Sequence, residues 1–100
     1  MKVSIQSLHF DADKKLLDFI QQKCDKLDTF FDHILDGTVT LKLEKDHEHG
    51  NKFAEIMLNV PGGKLVAKEQ CKSFEEAVDL TTEQLRKQIL KHKEKLRANE

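Results

Sequence analysis

Three stretches of this 100-residue chain hold side chains whose types and spacing could do chemistry. The first is Asp46-His47-Glu48-His49, with Glu44 just before it. Two imidazoles flanked by carboxylates can hold a divalent ion. Catalytic zinc motifs place their histidines four apart on a helix, as in H-E-x-x-H. His47 and His49 are two apart, in a polar run that ends at Gly50-Asn51 and reads as a loop. A solvated hairpin tip accounts for the cluster; a small metal-dependent enzyme using His47 and His49 is the alternative. The second stretch, Pro61-Gly62-Gly63, has no Lys-Ser/Thr after it, so it is a turn and not a phosphate loop. His9 and His33 have no nucleophile or carboxylate arrangement around them. Without a nucleophile, base and orienting group in one set, the expectation is a non-enzyme with no cofactor and no metal.

The third stretch is basic. Ser73 to Arg97 reads S-F-E-E-A-V-D-L-T-T-E-Q-L-R-K-Q-I-L-K-H-K-E-K-L-R, with neither Gly nor Pro. Ser73 followed by Glu76 is a capping box, so a helix starts here. Phe74, Ala77, Val78, Thr81, Leu85, Ile89, His92 and Leu96 recur at helical spacing and form one mostly apolar stripe. Leu80 and Leu90 point away from it. The acids Glu75, Glu76, Asp79 and Glu83 fill the first half. At 100° per residue the bases of the second half form two rows flanking the stripe. One is Lys87, Lys91 and Lys95; the other is Arg86, Lys93 and Arg97. Acids first and bases last complement the helix dipole. That explains one or two terminal cations. It does not explain three lysines stacked at i, i+4 and i+8, where like charges destabilise a helix by roughly 0.2–0.5 kcal/mol per pair. A surface for a polyanion is the competing explanation.

The charge balance sharpens that choice. Net charge is −1, which argues against a generic nucleic-acid binder. Residues 86–97 carry six bases and one acid, a net +5, while the rest carries 11 bases and 17 acids, a net −6. Such asymmetry focuses a field on one face. Cys24 and Cys71 suggest no disulfide framework, and a reducing cytosol fits two inert buried thiols. Residues 1–10 alternate instead of forming an apolar signal segment. No stretch reaches the ~18 apolar residues of a membrane span. The expectation is a soluble, cytoplasmic single domain over residues 1–98, with Asn99 and Glu100 frayed.

The elements that must position the bases follow from periodicity. Lys2 to Leu8 alternates, with Val3 and Ile5 on one face. Asp11 or Asp13 caps a first helix with the stripe Leu16, Leu17, Ile20, Cys24, Leu27, Phe31 and Ile34. Asp36-Gly37 is expected to end it, with Gly in a left-handed cap. Thr38 to Lys45, Lys52 to Val60 and Lys64 to Cys71 read as three further strands. Val39, Leu41 and Leu43 face inward on the first, Ala54, Ile56, Leu58 and Val60 on the second, and Leu65 and Ala67 on the third. The order is β-α-β-β-β-α, an α+β domain whose four-stranded sheet takes both helices on one face. Side by side, the helices would bring Lys23 and Lys26 toward the basic half of the final helix. Basic flanks without base-edge readers suit RNA recognised by shape and backbone.

Five ordered segments carry a family resemblance. Lys23-Cys24-Asp25-Lys26-Leu27 and Phe30-Phe31-Asp32-His33-Ile34 resemble the K-x-x-K-L…(Y/F)-F-D-x-I segment of ribosome hibernation-promoting factors and ribosome-associated translation inhibitors. Val39 to Lys45 is similar to their second strand, and Asn59 to Ala67 to their V-P-G-G-x-L-x-A hairpin. Phe74 to Asp79 is similar to their aromatic-x-A-(I/V)-D helix start. Leu85 to Leu96 resembles their L-x-R-Q-L-x-K-H-K-D-K-L ending. Departures are Glu76 where small residues are common, His33 where a base is common, and Lys72-Ser73 where an acid commonly begins the helix.

The resemblance implies a fold related to double-stranded-RNA-binding domains. It also implies a short form, lacking the C-terminal dimerisation domain of long members. It implies residence in the decoding groove of the small ribosomal subunit and inhibition of translation in stress or stationary phase. The implied partners are the small subunit with its ribosomal RNA, and whole ribosomes. Membrane, DNA and small-molecule substrates are not expected. Lys23, Lys26, Lys87, Lys91 and Lys95 occupy the family's basic positions, and His92 and Lys93 its K-H-K triplet. A free double-stranded RNA-binding module is the rival outside the ribosome.

Overall fold

The computed structural model describes residues 1–45, 48 and 50–98. The expected fraying of Asn99 and Glu100 lies outside the described residues. The elements run β1 (Lys2–Leu8), α1 (Lys14–Leu27), β2 (Asp36–Leu43), β3 (Lys52–Val60), β4 (Gly63–Cys71) and α2 (Phe74–Ala98). The expected β-α-β-β-β-α order holds. The sheet order is β1-β2-β3-β4. β1 lies parallel to β2, and the other neighbours are antiparallel.

Each strand has the period-two pattern of a sheet covered on one face. Register aligns Val39 with Ile56 and Ile56 with Ala67, and all three are buried. Both helices lie over this inner face. Ile20 and Cys24 of α1 and Val78, Leu85 and Ile89 of α2 are fully buried in the same core. The stacked rings of Phe10 and Phe74, 4.9 Å apart, close its end. Leu80 and Leu90 are exposed, as expected from the stripe. The outer face leaves Lys42, Phe53, Glu55 and Met57 half-exposed, and Val66 and Lys68 exposed.

Besides Leu43, expected inward but 45% exposed at the end of β2, two expectations need correction. The first helix ends at Leu27, not at Asp36-Gly37. Asp13 caps its start, accepting from the Leu16 amide at 2.8 Å. At its end, the amides of Asp28, Thr29 and Phe30 reach only three residues back, to Asp25, Lys26 and Leu27. The Thr29 hydroxyl also donates to the Lys26 carbonyl at 2.6 Å. These tighter turns use up the last helical carbonyls, so the helix stops. Phe31 and Ile34 remain buried in the connection, which is why helical spacing seemed to run on. Gly37 sits inside β2. A Cβ there would come within 3.1 Å of Leu58 Cδ2 and 3.2 Å of Met1 Sδ, so its role is close packing.

The second correction is Leu96, which is 41% exposed instead of lying in the core. A 25-residue helix is about 37 Å long at 1.5 Å per residue. The nine-residue strands beneath it span about 30 Å. The last turns of α2 therefore reach the rim of the sheet, where Leu96 only lines surface depressions beside Phe31 and the 60–65 hairpin.

Candidate nucleic-acid interface

α2 starts where Ser73 accepts a hydrogen bond from the Glu76 amide at 3.1 Å. Its two flanks meet different neighbours. On the α1 side, Lys23 of α1 pairs with Asp79 of α2 at 2.6 Å. Arg86 lies 6.0 Å from the Phe30 ring centroid. Lys93 donates to the Phe30 carbonyl at 2.8 Å. On the β4 side, Gln88 donates to the Val66 carbonyl at 3.0 Å, and Lys95 lines a shallow depression with the 60–65 hairpin and His92. The two basic rows thus straddle the stripe as the helical spacing requires.

The site residues separate into three environments. Lys87, Lys91 and Lys95 are exposed on the outer flank of α2 and make no ion pair among the described residues. Lys26, in the last turn of α1, is also exposed and without an ion pair. Lys23 and Lys93 are half-buried and already engaged. His92 is half-buried; its ring meets that of Phe31 edge-on at 5.7 Å, and Nε2 has no hydrogen-bond partner. His92 is therefore a packing residue first.

The expected meeting of Lys23 and Lys26 with the basic half of α2 holds only in part. Lys23 faces the acidic half, through Asp79. Lys26 does share an interhelical groove of about 370 Å³ with a base, but that base is Arg86. Arg86 was not among the expected site residues. The signal for it was its place in one row with Lys93. Arg86 is held by Glu83 at 2.5 Å. The hydrogen bond from Arg86, helped by the charges of Arg86 and Lys87, keeps the Glu83 carboxyl below its ordinary range.

Chemistry elsewhere is sparse. Both cysteines are free and buried, and burial pushes the Cys24 thiol up to about 12. No three metal-ligating side chains gather among the described residues. The histidines of the possible metal cluster, His47 and His49, lie outside the described residues. No described helix is long and apolar enough to cross a membrane. What the fold does present is a two-helix face with basic side chains on both flanks of α2.

Residues 3–97 match the family described as Sigma 54 modulation protein / S30EA ribosomal protein. The chain belongs to that family. A relative from Pseudomonas putida, a ribosome hibernation promoting factor, is 32% identical over 95 residues, covering 95% of this chain and 89% of the relative. A solved ribosomal subunit interface protein from Coxiella burnetii superposes with a TM-score of 0.81 at 18% identity, over 93% of this chain and 98% of that one. The N-terminal domain of Protein Y from Thermus thermophilus gives 0.76 at 23%, over 89% and 96%. Those two likenesses show that this chain shares their fold. The family is non-enzymatic.

Proposed function

We propose that this chain is a ribosome-binding dormancy factor. It occupies the decoding groove of the small ribosomal subunit, where messenger and transfer RNA would lie, and inhibits translation in stress or stationary phase. Its partners are the small subunit with its ribosomal RNA, and whole ribosomes, in the cytoplasm. The relatives' names support the ribosomal partner. One observation carries the assignment of the surface: Lys87, Lys91 and Lys95 stand exposed in a row without an ion pair among the described residues. Dipole complementarity acts within the last turn. Lys87 is three turns from the end of α2, so its place is explained by phosphate and not by the dipole. Lys26 adds to the same surface from α1.

Each phosphate contact releases condensed counterions, so affinity falls steeply with salt. Lys91→Ala is expected to weaken small-subunit binding and flatten the log–log salt slope by up to about one unit. Stability should be unchanged or slightly higher, because repulsion from Lys87 and Lys95 is relieved. Sedimentation of cell extracts on sucrose gradients shows whether the chain travels with small subunits, whole ribosomes or neither. Unchanged affinity in Lys91→Ala and Lys87→Ala, with lowered melting temperature, would return the row to the dipole explanation. Tight binding to any RNA duplex, without preference for the ribosome, would favour the free double-stranded RNA-binding module.

A further inference from the structure

The groove between α1 and α2 differs in kind from the outer flank. It has the shape and bases to take a phosphate: Lys23, Lys26 and Arg86 line it around Phe30. Two of those three bases are already taken. Asp79 holds Lys23 at 2.6 Å from across the groove, and Glu83 holds Arg86 at 2.5 Å along α2. The outer row of three lysines makes no ion pair among the described residues, although the charge of Lys87 is felt by Glu83 one turn away.

Neither usual role accounts for these carboxylates. Asp79 and Glu83 are the sixth and tenth residues of α2, beyond the first turn where acids complement the dipole. Glu75 and Glu76 already fill that turn. Nor do pairs this exposed contribute much to stability. Their effect is on what can enter the groove. A phosphate arriving there must displace a carboxylate from its cation, exchanging one charged pair for another, and then lies beside a repelling acid. A phosphate arriving at Lys87, Lys91 or Lys95 breaks no ion pair among the described residues.

We propose that Asp79 and Glu83 are selectivity determinants: by occupying Lys23 and Arg86 they exclude the phosphates of arbitrary RNA from the interhelical groove. Binding is thereby left to RNA whose phosphates meet the outer flank and Lys26 without entering the groove. This is discrimination by an unfavourable element and not by a new contact. It rests on the reading of the basic flank as an RNA surface.

The test compares Asp79→Asn and Glu83→Gln with the unsubstituted chain. The probes are a random-sequence RNA duplex and purified small ribosomal subunits, each across a salt series. Each substitution is expected to tighten duplex binding about two- to fivefold, the range carried by exposed ion pairs. The salt slope for the duplex should steepen by up to about one unit. Small-subunit affinity should change less than twofold, so selectivity falls. Asp79→Glu, which keeps the charge, should retain it, and circular dichroism confirms that each variant is folded. Unchanged duplex affinity, or an equal rise for both probes, overturns the proposal. If the unsubstituted chain fails to bind small subunits, the proposed function falls, yet the duplex arm still decides. A rise there upholds exclusion of arbitrary RNA, and no rise overturns it.

Discussion

Lys93 tests whether the basic face is one functional unit or two kinds of lysine. The perturbation is Lys93→Ala, beside Lys93→Met, which removes the charge but keeps an unbranched stem. The Lys93 ammonium donates to the Phe30 carbonyl at 2.8 Å across 63 residues of chain. That carbonyl ends the run of turns that closes α1, so a cation there also meets the negative end of a helix dipole. Hydrogen bonds involving a charged group contribute roughly 1.5–3 kcal/mol. Lys93 is half-buried, and the freed carbonyl can turn to water, which favours the low end. Ordering a lysine side chain costs up to about 2 kcal/mol and offsets part of the gain. A net loss of about 1 kcal/mol follows, or roughly 4–8 °C in melting temperature for a domain of this size. Urea unfolding with a common slope measures it. Lys91→Ala, at an exposed position without an ion pair among the described residues, is the control and should not destabilise. Equal midpoints for Lys93→Ala and Lys91→Ala would refute the separation of the two lysines. If Lys93→Met matched the unsubstituted chain while Lys93→Ala did not, the stem and not the hydrogen bond would be the stabilising part.

Leu85→Ala should cost about 2–5 kcal/mol, a large share of a total near 5–15, because Leu85 is fully buried. Leu90, 39% exposed, should cost less than about 1 kcal/mol on the same change, and equal losses in urea unfolding would mean α2 is rotated differently. Cys24 should resist thiol reagents in the folded chain at pH 8, since burial lifts its thiol from an ordinary 9.0 to about 12. The unfolded thiol ionises first, so this contribution to stability is complete below about pH 9 and is lost as pH rises toward 12. Fast labelling of Cys24 under native conditions, or a Cys24→Ser chain that loses stability as steeply above pH 9, would count against it.

The fold was legible because its signals are local. Alternation marked the strands, and Lys52–Val60 agrees to the residue. The serine cap and an uninterrupted stripe marked α2. The end of α1 was not legible, and for a definite reason. Phe31 and Ile34 keep the helical spacing of buried positions although the chain has already left the helix. Periodicity reports which residues are buried, not which backbone carries them. Thr29, whose hydroxyl reaches back to Lys26, was the competing signal. Leu96 failed for another reason: helix pattern says nothing about where the opposing sheet runs out.

The bases of the candidate site could be listed from the sequence, but not their arrangement. Helical angles alone put Arg86 and Lys93 on one flank of α2 and Lys87, Lys91 and Lys95 on the other. Which flank meets α1 depends on topology. α1 crosses from β1 to its parallel neighbour β2, and such crossovers are right-handed almost without exception. That sets α1 beside the flank of Arg86, and the other flank over β4, where Gln88 reaches Val66. The flank that meets α1 acquires partners: Asp79 for Lys23, Phe30 for Arg86 and Lys93. The other flank acquires none for Lys87 and Lys91 among the described residues. A sequence that stacks like charges there accepts repulsion with no compensating ion pair among the described residues. On the proposed function the compensating charge comes from outside, and the side chains that would meet it are those that do least for the fold.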